Sequence, residues 1–301
     1  MSVEPTARVV STPRPATLAG TLRDCLLEAR PVVQVIFCVR LLAGLALAGP
    51  FRHDISSETL LAGGLAWWCA VVFVYLYNGA ADIVEDRTSQ RNRPIARGDL
   101  PRETALSWCR AFAGAAVLCG LRAGPVFALL VLALLALGYL YSAPGFGFKR
   151  HYLGAAVVTT LGGALTFLAG FLLGGGDLPS PDIMVLTAAM SAWMGGVGSV
   201  AKDFSDVKGD TAAGRRTLVA IFGQRVASVV VSGSALCVAV SFTIAAWAWA
   251  PAMRFSAATL LTGSLGVTFL AMNRRTESHP RTPYWAFMVS QYAATLSVLS
   301  V

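Results

Sequence analysis

Apolar runs recur along the chain from Pro31 to its end, and they constrain the fold more than any other feature. Each run holds roughly 18 to 25 residues, enough for a helix to cross a hydrocarbon core of about 30 Å. Hydrophobic residues make up 55% of the 301 residues and charged residues only 13%, about half the charged share of a soluble domain. We therefore predict an all-α, polytopic membrane protein.

Nine membrane spans are predicted along the chain. They are 32–50, 60–78, 104–121, 124–142, 152–174, 183–201, 226–250, 254–272 and 283–301. Residues 1–30 contain no apolar stretch typical of a cleaved signal peptide. We expect them to form a cytoplasmic tail that ends in a short interfacial helix near Thr21–Glu28, and residues 31–301 to form a single membrane domain.

Lys and Arg residues are divided unevenly between the two sets of loops. Nineteen lie in the tail and in the loops after spans two, four, six and eight, whereas the opposite loops hold only Arg52, Arg122 and Arg254. Because positive residues are retained in the cytoplasm, we expect the tail and the charged loops there and Val301 outside. This asymmetry accounts for the net charge of +8 without a nucleic-acid partner, and nothing indicates an obligate protein partner.

Two acidic motifs follow spans two and six. The first motif comprises Asn78, Asp82 and Asp86, and the second comprises Asp206 and Asp210, with Asp203 just before it. Residues four apart share one face if the span continues as a helix, and ionisable groups at membrane depth are usually functional. The alternative is a pair of ordinary loops whose acids pair with neighbouring bases. The four-span separation also suggests an internal duplication.

The ligand chemistry of these motifs is that of a hard cation. Carboxylates and a carboxamide form an all-oxygen set, which suits Mg²⁺. Mg²⁺ usually binds through few carboxylates together with substrate phosphates, so a diphosphate is the expected ligand. Several neighbouring cations are suited to its oxygens: Arg87, Arg91, Arg93, Arg97, Lys149 and Lys202.

Arg40 interrupts the first span near its centre. An arginine inside a membrane indicates a functional site by default. It is a candidate to hold the carboxylate of an acceptor or the diphosphate. The alternative is a structural pair with a carbonyl or an aspartate of a neighbouring span.

Three motifs together resemble the UbiA superfamily of intramembrane prenyltransferases over essentially the whole chain. The first motif is Asn78-x₃-Asp82-x₃-Asp86 followed by Arg93-Pro94-Ile95 and Gly98. The second is Tyr139-x-Tyr141-Ser142-x-Pro144 followed by Lys149. The third is Lys202-Asp203, then Asp206-x₃-Asp210 with Gly214 and Thr217-Leu218. The step from Asp86 to Arg93 is similar to the chlorophyll-synthase and archaeal ether-lipid branches more than to the 4-hydroxybenzoate branch.

The resemblance implies an all-helical fold of nine spans around a central cavity, with site residues at matching positions. The implied Mg²⁺ ligands are Asn78, Asp82, Asp86, Asp206 and Asp210, with Asp203 as an additional candidate. The resemblance assigns Arg93 and Lys149 to the diphosphate. The further candidates for substrate contact are Arg97, Lys202, Arg40, Tyr139 and Ser142. Tyr139 and Tyr141 are candidates to shield an allylic cation, with Tyr141 and the four motif aspartates Asp82, Asp86, Asp206 and Asp210 as the expected catalytic set. The alternative for either tyrosine is a simple interfacial aromatic residue.

The function that the resemblance implies is Mg²⁺-dependent transfer of a prenyl group from a polyprenyl diphosphate to an aromatic or other lipophilic acceptor. The composition, rich in Ala and Arg, favours an enzyme of secondary metabolism or quinone synthesis in a bacterial cytoplasmic membrane. A UbiA-type terpene cyclase with the same aspartate motifs is the alternative. A transporter or metal-binding membrane protein is a third possibility, although transporter sites usually lie near the bilayer midplane.

Overall fold

The computed structural model describes residues 17–49, 55–273 and 278–300. Within these ranges the regular secondary structure is helical, apart from one isolated parallel bridge between His151 and Arg216. The all-α prediction is therefore confirmed. Predictions that concern residues 1–16, Arg52 and Val301 fall outside the described ranges.

The described ranges contain fourteen α-helices. They are α1 (Leu18–Glu28), α2 (Pro31–Ala46), α3 (Ser57–Ala81), α4 (Ile83–Thr88), α5 (Pro94–Arg97), α6 (Arg102–Ala123), α7 (Pro125–Ser142), α8 (Tyr152–Leu173), α9 (Pro181–Trp193), α10 (Ser199–Asp203), α11 (Val207–Ala212), α12 (Leu218–Ala248), α13 (Arg254–Met272) and α14 (Thr282–Leu296). A π-helical segment, Met194–Gly198, joins α9 and α10 into one span.

Every predicted span corresponds to a helix of the bundle. Among the described residues, seven helices are long and apolar enough to cross a bilayer. The pair α1 and α2, bent by 71°, passes the same test only when the two helices are taken together. α14 has 15 residues and is shorter than a full span. The chain is a multi-pass membrane protein whose first and last bundle helices, α2 and α14, are short.

Local sequence sets where several of these helices begin. Ser56, Ser180 and Thr217 each accept a hydrogen bond from the backbone N–H three residues later, which is the role of an N-cap residue. The seventh span was predicted to begin at residue 226, but α12 begins at Leu218. The prediction began later because Gln224 and Arg225 interrupt the apolar run. In the structure a break at Gly223 (φ 81°) separates the first turn of α12 from the rest.

The bundle has two hydrophobic cores, with α2 and α8 contributing to both. One core contains residues of α2, α3, α6 and α7 around the fully buried Trp67, and the other contains residues of α9, α12, α13 and α14 around Trp193. α2 and α8 cross at very short range. A Cβ atom on Gly44 would lie 2.1 Å from the carbonyl oxygen of Phe167, and one on Gly170 would lie 2.0 Å from that of Leu41.

The small residues of α8 serve two purposes. Gly170 allows the close crossing with α2, whereas Gly162 has no atom within 4 Å of the position of an added Cβ and lines a cavity. Small residues of α8 therefore provide close packing at one position and open space at another.

The charged loops meet at one end of the bundle. α3, α7 and α10 end there, and α8 and α12 begin there; Ser142 at the end of α7, for example, bonds to Asn78 near the end of α3. The short helices α4, α5 and α11 lie in these loops, with α4 packed against both of the others. This end of the bundle holds both acidic motifs.

Candidate functional site

The first acidic motif lies where α3 gives way to α4. α3 ends at Ala81, and Asp82 takes a non-helical conformation (φ −96°, ψ 18°) before α4 begins at Ile83. The backbone N–H of Asp86 still donates to the Asp82 carbonyl at 2.8 Å. The expected continuous helix is thus interrupted at Asp82, yet both carboxylates remain buried at the bundle end.

The second acidic motif has the same backbone geometry between α10 and α11. Asp206 has φ −108° and ψ 1°, close to the values at Asp82, and the N–H of Asp210 donates to its carbonyl at 2.9 Å. Asp203 lies at the end of α10, with its buried carboxylate 3.6 Å from Lys202 Nζ. The two motifs therefore share a local fold as well as a residue spacing.

The likeness extends past the second aspartate of each motif. Gln90 (φ 51°) and Gly214 (φ 66°) both have left-handed backbone conformations. The next residue is an arginine in each loop, Arg91 or Arg215, and its N–H donates at 2.8 Å to the carbonyl of the second aspartate of its own motif. Each motif thus ends on an arginine held in the same place relative to its carboxylates.

These two arginines cross between the motifs. Arg91 forms an ion pair with Asp206. Arg215 Nη2 donates to Asp82 Oδ1 at 2.6 Å, while its Nη1 donates to Asp210 Oδ1 at 3.2 Å. The first aspartate of each motif is therefore bound by the arginine of the other motif.

Asp82 has further partners from the loop after α7. Lys149 is buried and pairs with the Asp82 carboxylate, and its Nζ lies 3.2 Å from Asn78 Oδ1. Asn78 Nδ2 donates to Asp82 Oδ2 at 2.9 Å, and the Ser142 hydroxyl donates to Asn78 Oδ1 at 2.8 Å. Asn78 and Ser142 thereby fix the orientation of the carboxylate.

The pKa values of the motif aspartates move in different directions. Burial opposes ionisation of Asp82, but Lys149 and Arg215 outweigh it and hold the pKa of that carboxyl below its ordinary value. Burial raises the pKa of Asp86 and of Asp210, because the cations near them compensate less. The site therefore contains one strongly ionised aspartate beside two that bind protons more readily.

A cavity of about 380 Å³ lies between the motifs and continues into the bundle. Its mouth is lined by the four aspartates of the two motifs together with Arg91, Arg93, Lys202 and Arg215. Its inner walls come from α2, α3, α7, α8 and α14 and are mainly apolar, with Val33, Ile36, Leu134, Leu137 and Val158 among them. One continuous space therefore has an ionic mouth and an apolar interior.

Most of the predicted site residues line this cavity. They are Arg40, Asn78, Asp82, Asp86, Arg93, Tyr141, Lys202, Asp206 and Asp210. Arg93 Nη1 donates to Asp86 Oδ2 at 2.7 Å. Ser142, Lys149 and Asp203 are buried behind the lining and contact it through the bonds described above.

Arg97 and Tyr139 are not among the described residues that line the cavity. Arg97 donates at 2.7 Å to both Asp99 and Asn92 on the exposed surface. Tyr139 is 46% exposed and stacks on Tyr77 at 5.5 Å between ring centroids. We therefore leave both side chains out of the proposed site, and Tyr139 has the environment of an interfacial aromatic residue.

Arg215, Glu85 and Glu28 contribute to the site, although the sequence did not single them out. Arg215 bridges the motifs and also lies 3.1 Å from Glu85 Oε1. Glu28, buried in α1, accepts a hydrogen bond from the N–H of Ile95 at 2.9 Å. For Arg215 the sequence carries one signal, which is the repeated spacing. Arg91 follows Asp86 by five residues, and Arg215 follows Asp210 by five residues.

The donor set fits Mg²⁺ in its chemistry. Among the described residues, no group of three or more His, Cys, Asp or Glu side chains is gathered closely enough to hold a metal alone. Mg²⁺ does not require such a group, because it keeps several waters and binds through one or two carboxylates plus substrate phosphates. Asp210 Oδ2 is buried without a hydrogen-bond partner in the described structure, so the site retains an unsatisfied acceptor that a cation would satisfy.

The fold and the site define a class of helical membrane protein in which two aspartate motifs line the mouth of one internal cavity. The sequence matches the UbiA prenyltransferase family over residues 37–291. The chain belongs to this family.

Curated relatives match part of their own length. Digeranylgeranylglyceryl phosphate synthase of Halobacterium salinarum is 31% identical over 195 residues, which cover 61% of this chain and 66% of that protein. Chloroplastic chlorophyll synthase of Oryza sativa subsp. japonica is 27% identical over 220 residues, which cover 68% of this chain and 55% of that protein. The matches span just under two thirds of the first relative and little more than half of the second.

Solved structures share the architecture. A UbiA homologue from Archaeoglobus fulgidus, bound to GPP and Mg²⁺, matches with a TM-score of 0.69 and 20% identity, over 92% of this chain and 100% of that one. The structure of that homologue bound to DMAPP and Mg²⁺ matches with a TM-score of 0.67 and 20% identity, over 92% of this chain and 99% of that one. At this identity the likeness establishes the fold.

Proposed function

We propose that this chain is an intramembrane prenyltransferase, which uses Mg²⁺ to move a prenyl group from a polyprenyl diphosphate to an aromatic or other lipophilic acceptor. The observation that carries the proposal is the single cavity with an ionic mouth and apolar walls. A polyprenyl diphosphate has the same division, since its diphosphate is charged and its tail is apolar. One molecule in one orientation therefore satisfies both parts of the cavity.

The relatives support this choice of ligands. The A. fulgidus homologue was solved with GPP and Mg²⁺, a prenyl diphosphate and the cation that the donor set fits. The two curated relatives are named for different products, a digeranylgeranylglyceryl phosphate and chlorophyll. Their names therefore leave the acceptor open.

The cations of the mouth are placed to exchange partners when a diphosphate binds. Arg91, Arg93 and Arg215 donate to carboxylates in the protein alone, and their planar guanidinium groups suit bidentate contact with phosphate oxygens. When bound by Asp82, Asp86, Asp206 and Asp210, Mg²⁺ would neutralise charge that develops on the leaving diphosphate. The carboxylates would then hold the metal, and the guanidinium groups would be free to bind the phosphates.

The transfer itself breaks the allylic C–O bond, and the electron pair leaves with the diphosphate. Arg91 and Arg215, whose backbones are held by hydrogen bonds to the carbonyls of Asp86 and Asp210, would stabilise that charge through their guanidinium groups. The prenyl cation is attacked by an electron-rich atom of the acceptor, which then loses a proton. Tyr141 lines the cavity and offers a π-system against the cation, and the apolar walls exclude the water that would hydrolyse it.

We infer that the aspartate end of the bundle faces the cytoplasm of a bacterial cell. The described loops at this end include Arg87, Arg91, Lys149, Arg150, Lys208, Arg215 and Arg216, whereas Arg122 and Arg254 lie at the opposite end. A cysteine introduced at the exposed Phe146, with the six native cysteines replaced, should react with an impermeant maleimide only in inverted vesicles. Labelling in right-side-out vesicles would contradict the orientation.

The function is tested by diphosphate release in detergent from geranyl, farnesyl and geranylgeranyl diphosphates, with and without Mg²⁺ and a panel of aromatic and lipid acceptors. We expect release to require Mg²⁺ and an acceptor, and to fall at least about 100-fold in Asp82→Asn and in Asp206→Asn. Asp99→Asn is the matched control, because Asp99 is exposed and pairs with Arg97 away from the cavity. Equal release by all four proteins would contradict the proposal.

A further inference from the structure

Arg40 has a buried guanidinium that the chemistry above does not use. It lies in the middle of α2, is 2% exposed and lines the cavity. Its Nε and Nη1 have no hydrogen-bond partner among the described residues. The guanidinium rests over the ring of Phe37, 5.1 Å from the centroid.

The surroundings of Arg40 are polar but carry no compensating carboxylate in the described structure. The titratable side chains near the Arg40 guanidinium are Tyr75, Tyr284 and Tyr292. Burying an unpaired cation within a membrane is costly, so a purely structural arginine would be expected to bond to a carbonyl or carboxylate. The free donors indicate that the partner of Arg40 is an anion that enters the cavity.

Gln291 supplies a second unsatisfied group on the neighbouring helix. α14 packs against α2, and Gln291 is 1% exposed and lines the same cavity as Arg40. Its Oε1 is buried without a hydrogen-bond partner among the described residues. Two arginine donors and one amide acceptor are therefore left to bind a ligand that carries both an anionic group and a hydroxyl group.

This second polar group is separate from the one at the mouth. We name the cluster of Arg40, Tyr75, Tyr284 and Gln291 the Arg40 pole, and the four motif aspartates with their cations the aspartate pole. The aspartate pole belongs to α3, α4, α10, α11 and the adjoining loops, whereas three of the four residues of the Arg40 pole belong to α2 and α14. The cavity is lined by both poles.

We propose that the Arg40 pole binds the anionic group of the acceptor, a carboxylate or a phosphate monoester, and so selects hydroxylated anionic acceptors. The proposal rests on the proposed function. A prenyl diphosphate has one anionic group, and the aspartate pole already provides that group with metal ligands and with Arg91, Arg93 and Arg215. An anion at Arg40 therefore belongs to the other substrate.

The test measures ligand binding and turnover separately in the full chain. The probes are matched pairs: a hydroxybenzoic and a hydroxynaphthoic acid, each with its methyl ester, and a prenylglyceryl phosphate with its dephosphorylated alcohol. Affinity is obtained from ligand-induced shifts of the thermal unfolding temperature, and farnesyl diphosphate with Mg²⁺ is measured in parallel. The acid pairs and the phosphate pair distinguish the two sources of the anion.

The wild type should bind the anionic member of at least one pair about tenfold or more tightly than its neutral twin, since the contact consists of charge-assisted hydrogen bonds. Arg40→Met should abolish this preference and leave the affinity for farnesyl diphosphate unchanged. Arg122→Met is the matched control, because Arg122 is exposed and pairs with Glu58, and it should keep the preference.

Two further variants keep the test decisive if Arg40→Met does not fold. Arg40→Lys should reduce the preference for the anion without removing it, because Lys retains the charge but not the fork of donors. Gln291→Leu should weaken both members of a pair about equally, since both carry the hydroxyl. An unchanged preference in Arg40→Lys, or unchanged affinities in Gln291→Leu, would overturn the corresponding contact.

The proposal is overturned if the wild type prefers no anionic probe, if the preference survives in Arg40→Met, or if Arg40→Met instead loses farnesyl diphosphate. Diphosphate release gives the independent readout for the proposed function. Preference for an anion that depends on Arg40, in a protein that releases no diphosphate with any donor, would overturn prenyl transfer and leave the binding site standing.

Discussion

Arg215 Nη2 lies 2.6 Å from Asp82 Oδ1, so the arginine that ends the second acidic motif binds the first aspartate of the first motif. The relationship is reciprocal, because Arg91 pairs with Asp206. The paired residues are separated by 133 and 115 positions in the sequence. Each acidic loop therefore supplies a cation to the first aspartate of the other, and the two loops act as one site.

The crossed pairing makes Arg215 as important as the aspartates. Arg215→Met should lower kcat for diphosphate release by about 100-fold, since it removes a cation that would stabilise the charge on the leaving group. It should also lower the thermal unfolding temperature, because Asp82 keeps only Lys149 as a cationic partner. The neighbouring Arg216 is exposed, and Arg216→Met should change neither quantity.

A double-mutant cycle checks that Arg215 acts through Asp82. The free-energy effects of Arg215→Met and Asp82→Asn should fail to add by more than about 1 kcal/mol, as is usual for residues in direct contact. Additive effects would show that the two residues work independently, and would contradict a single crossed site.

The position of Gly79 in α3 leads to a second prediction. A Cβ atom there would lie 2.3 Å from Glu28 Oε1, and Glu28 is held in place by the N–H of Ile95. Gly79→Ala should therefore displace α1 from the site and destabilise the fold by about 1–3 kcal/mol. Gly64 in the same helix has no atom within 4 Å of an added Cβ, so Gly64→Ala should be neutral or slightly stabilising.

Thermal unfolding in detergent, with diphosphate release measured alongside, compares these two glycine variants. Equal unfolding temperatures and equal release would show that the contact between α1 and α3 does not position the site.

The opposite pKa shifts of Asp82 and Asp210 predict opposite effects on stability without Mg²⁺. Because its cations favour the ionised form of Asp82, Asp82→Asn should lower the unfolding temperature in EDTA, by about 2–4 °C. Burial disfavours ionised Asp210, so Asp210→Asn should leave the temperature unchanged or raise it. Asp99→Asn is again the surface control. The same sign of change in both variants would contradict the charge arrangement.

The pH dependence has a definite sign for Asp210. A carboxyl whose pKa is raised by folding binds its proton more readily in the folded chain, so stability rises as pH falls through that pKa. The unfolding temperature of the metal-free wild type minus that of Asp210→Asn should therefore become more positive as pH is lowered from 7. A difference that shrinks over this range would contradict the raised pKa. The contribution of Asp82 has the opposite sign, since its stabilisation is present above the ordinary pKa of an aspartate and is lost at lower pH.

The positions of the bundle helices could be predicted from the sequence because crossing a bilayer requires a long apolar run. The residues at which these helices begin and end could be predicted less well. α12 starts eight residues before its predicted span, at Leu218, because an N-cap at Thr217 begins a turn ahead of the break at Gly223. The interruption of the helix at Asp82 was also missed, since residues four apart look alike in a continuous helix and in two helices joined by one residue.

Those parts of the site that depend on residue type and local spacing could be predicted from the sequence. The aspartates, Asn78, Arg93 and Lys149 belong to motifs with a regular pattern, and the structure brings them together. Arg215 was missed because its main partner is 133 residues away. Arg97 and Tyr139 share the type and spacing of binding residues, but the direction in which a side chain points depends on packing that no local pattern encodes.

The most direct test of prenyl transfer is the ratio of prenylated acceptor to released diphosphate, measured with a radiolabelled donor, Mg²⁺ and an acceptor that the wild type binds. The account predicts one prenylated acceptor for each diphosphate released, and no measurable release when the acceptor is left out. Release accompanied by a cyclised hydrocarbon or terpene alcohol, with no prenylated acceptor, would contradict transfer and identify the chain as a cyclase.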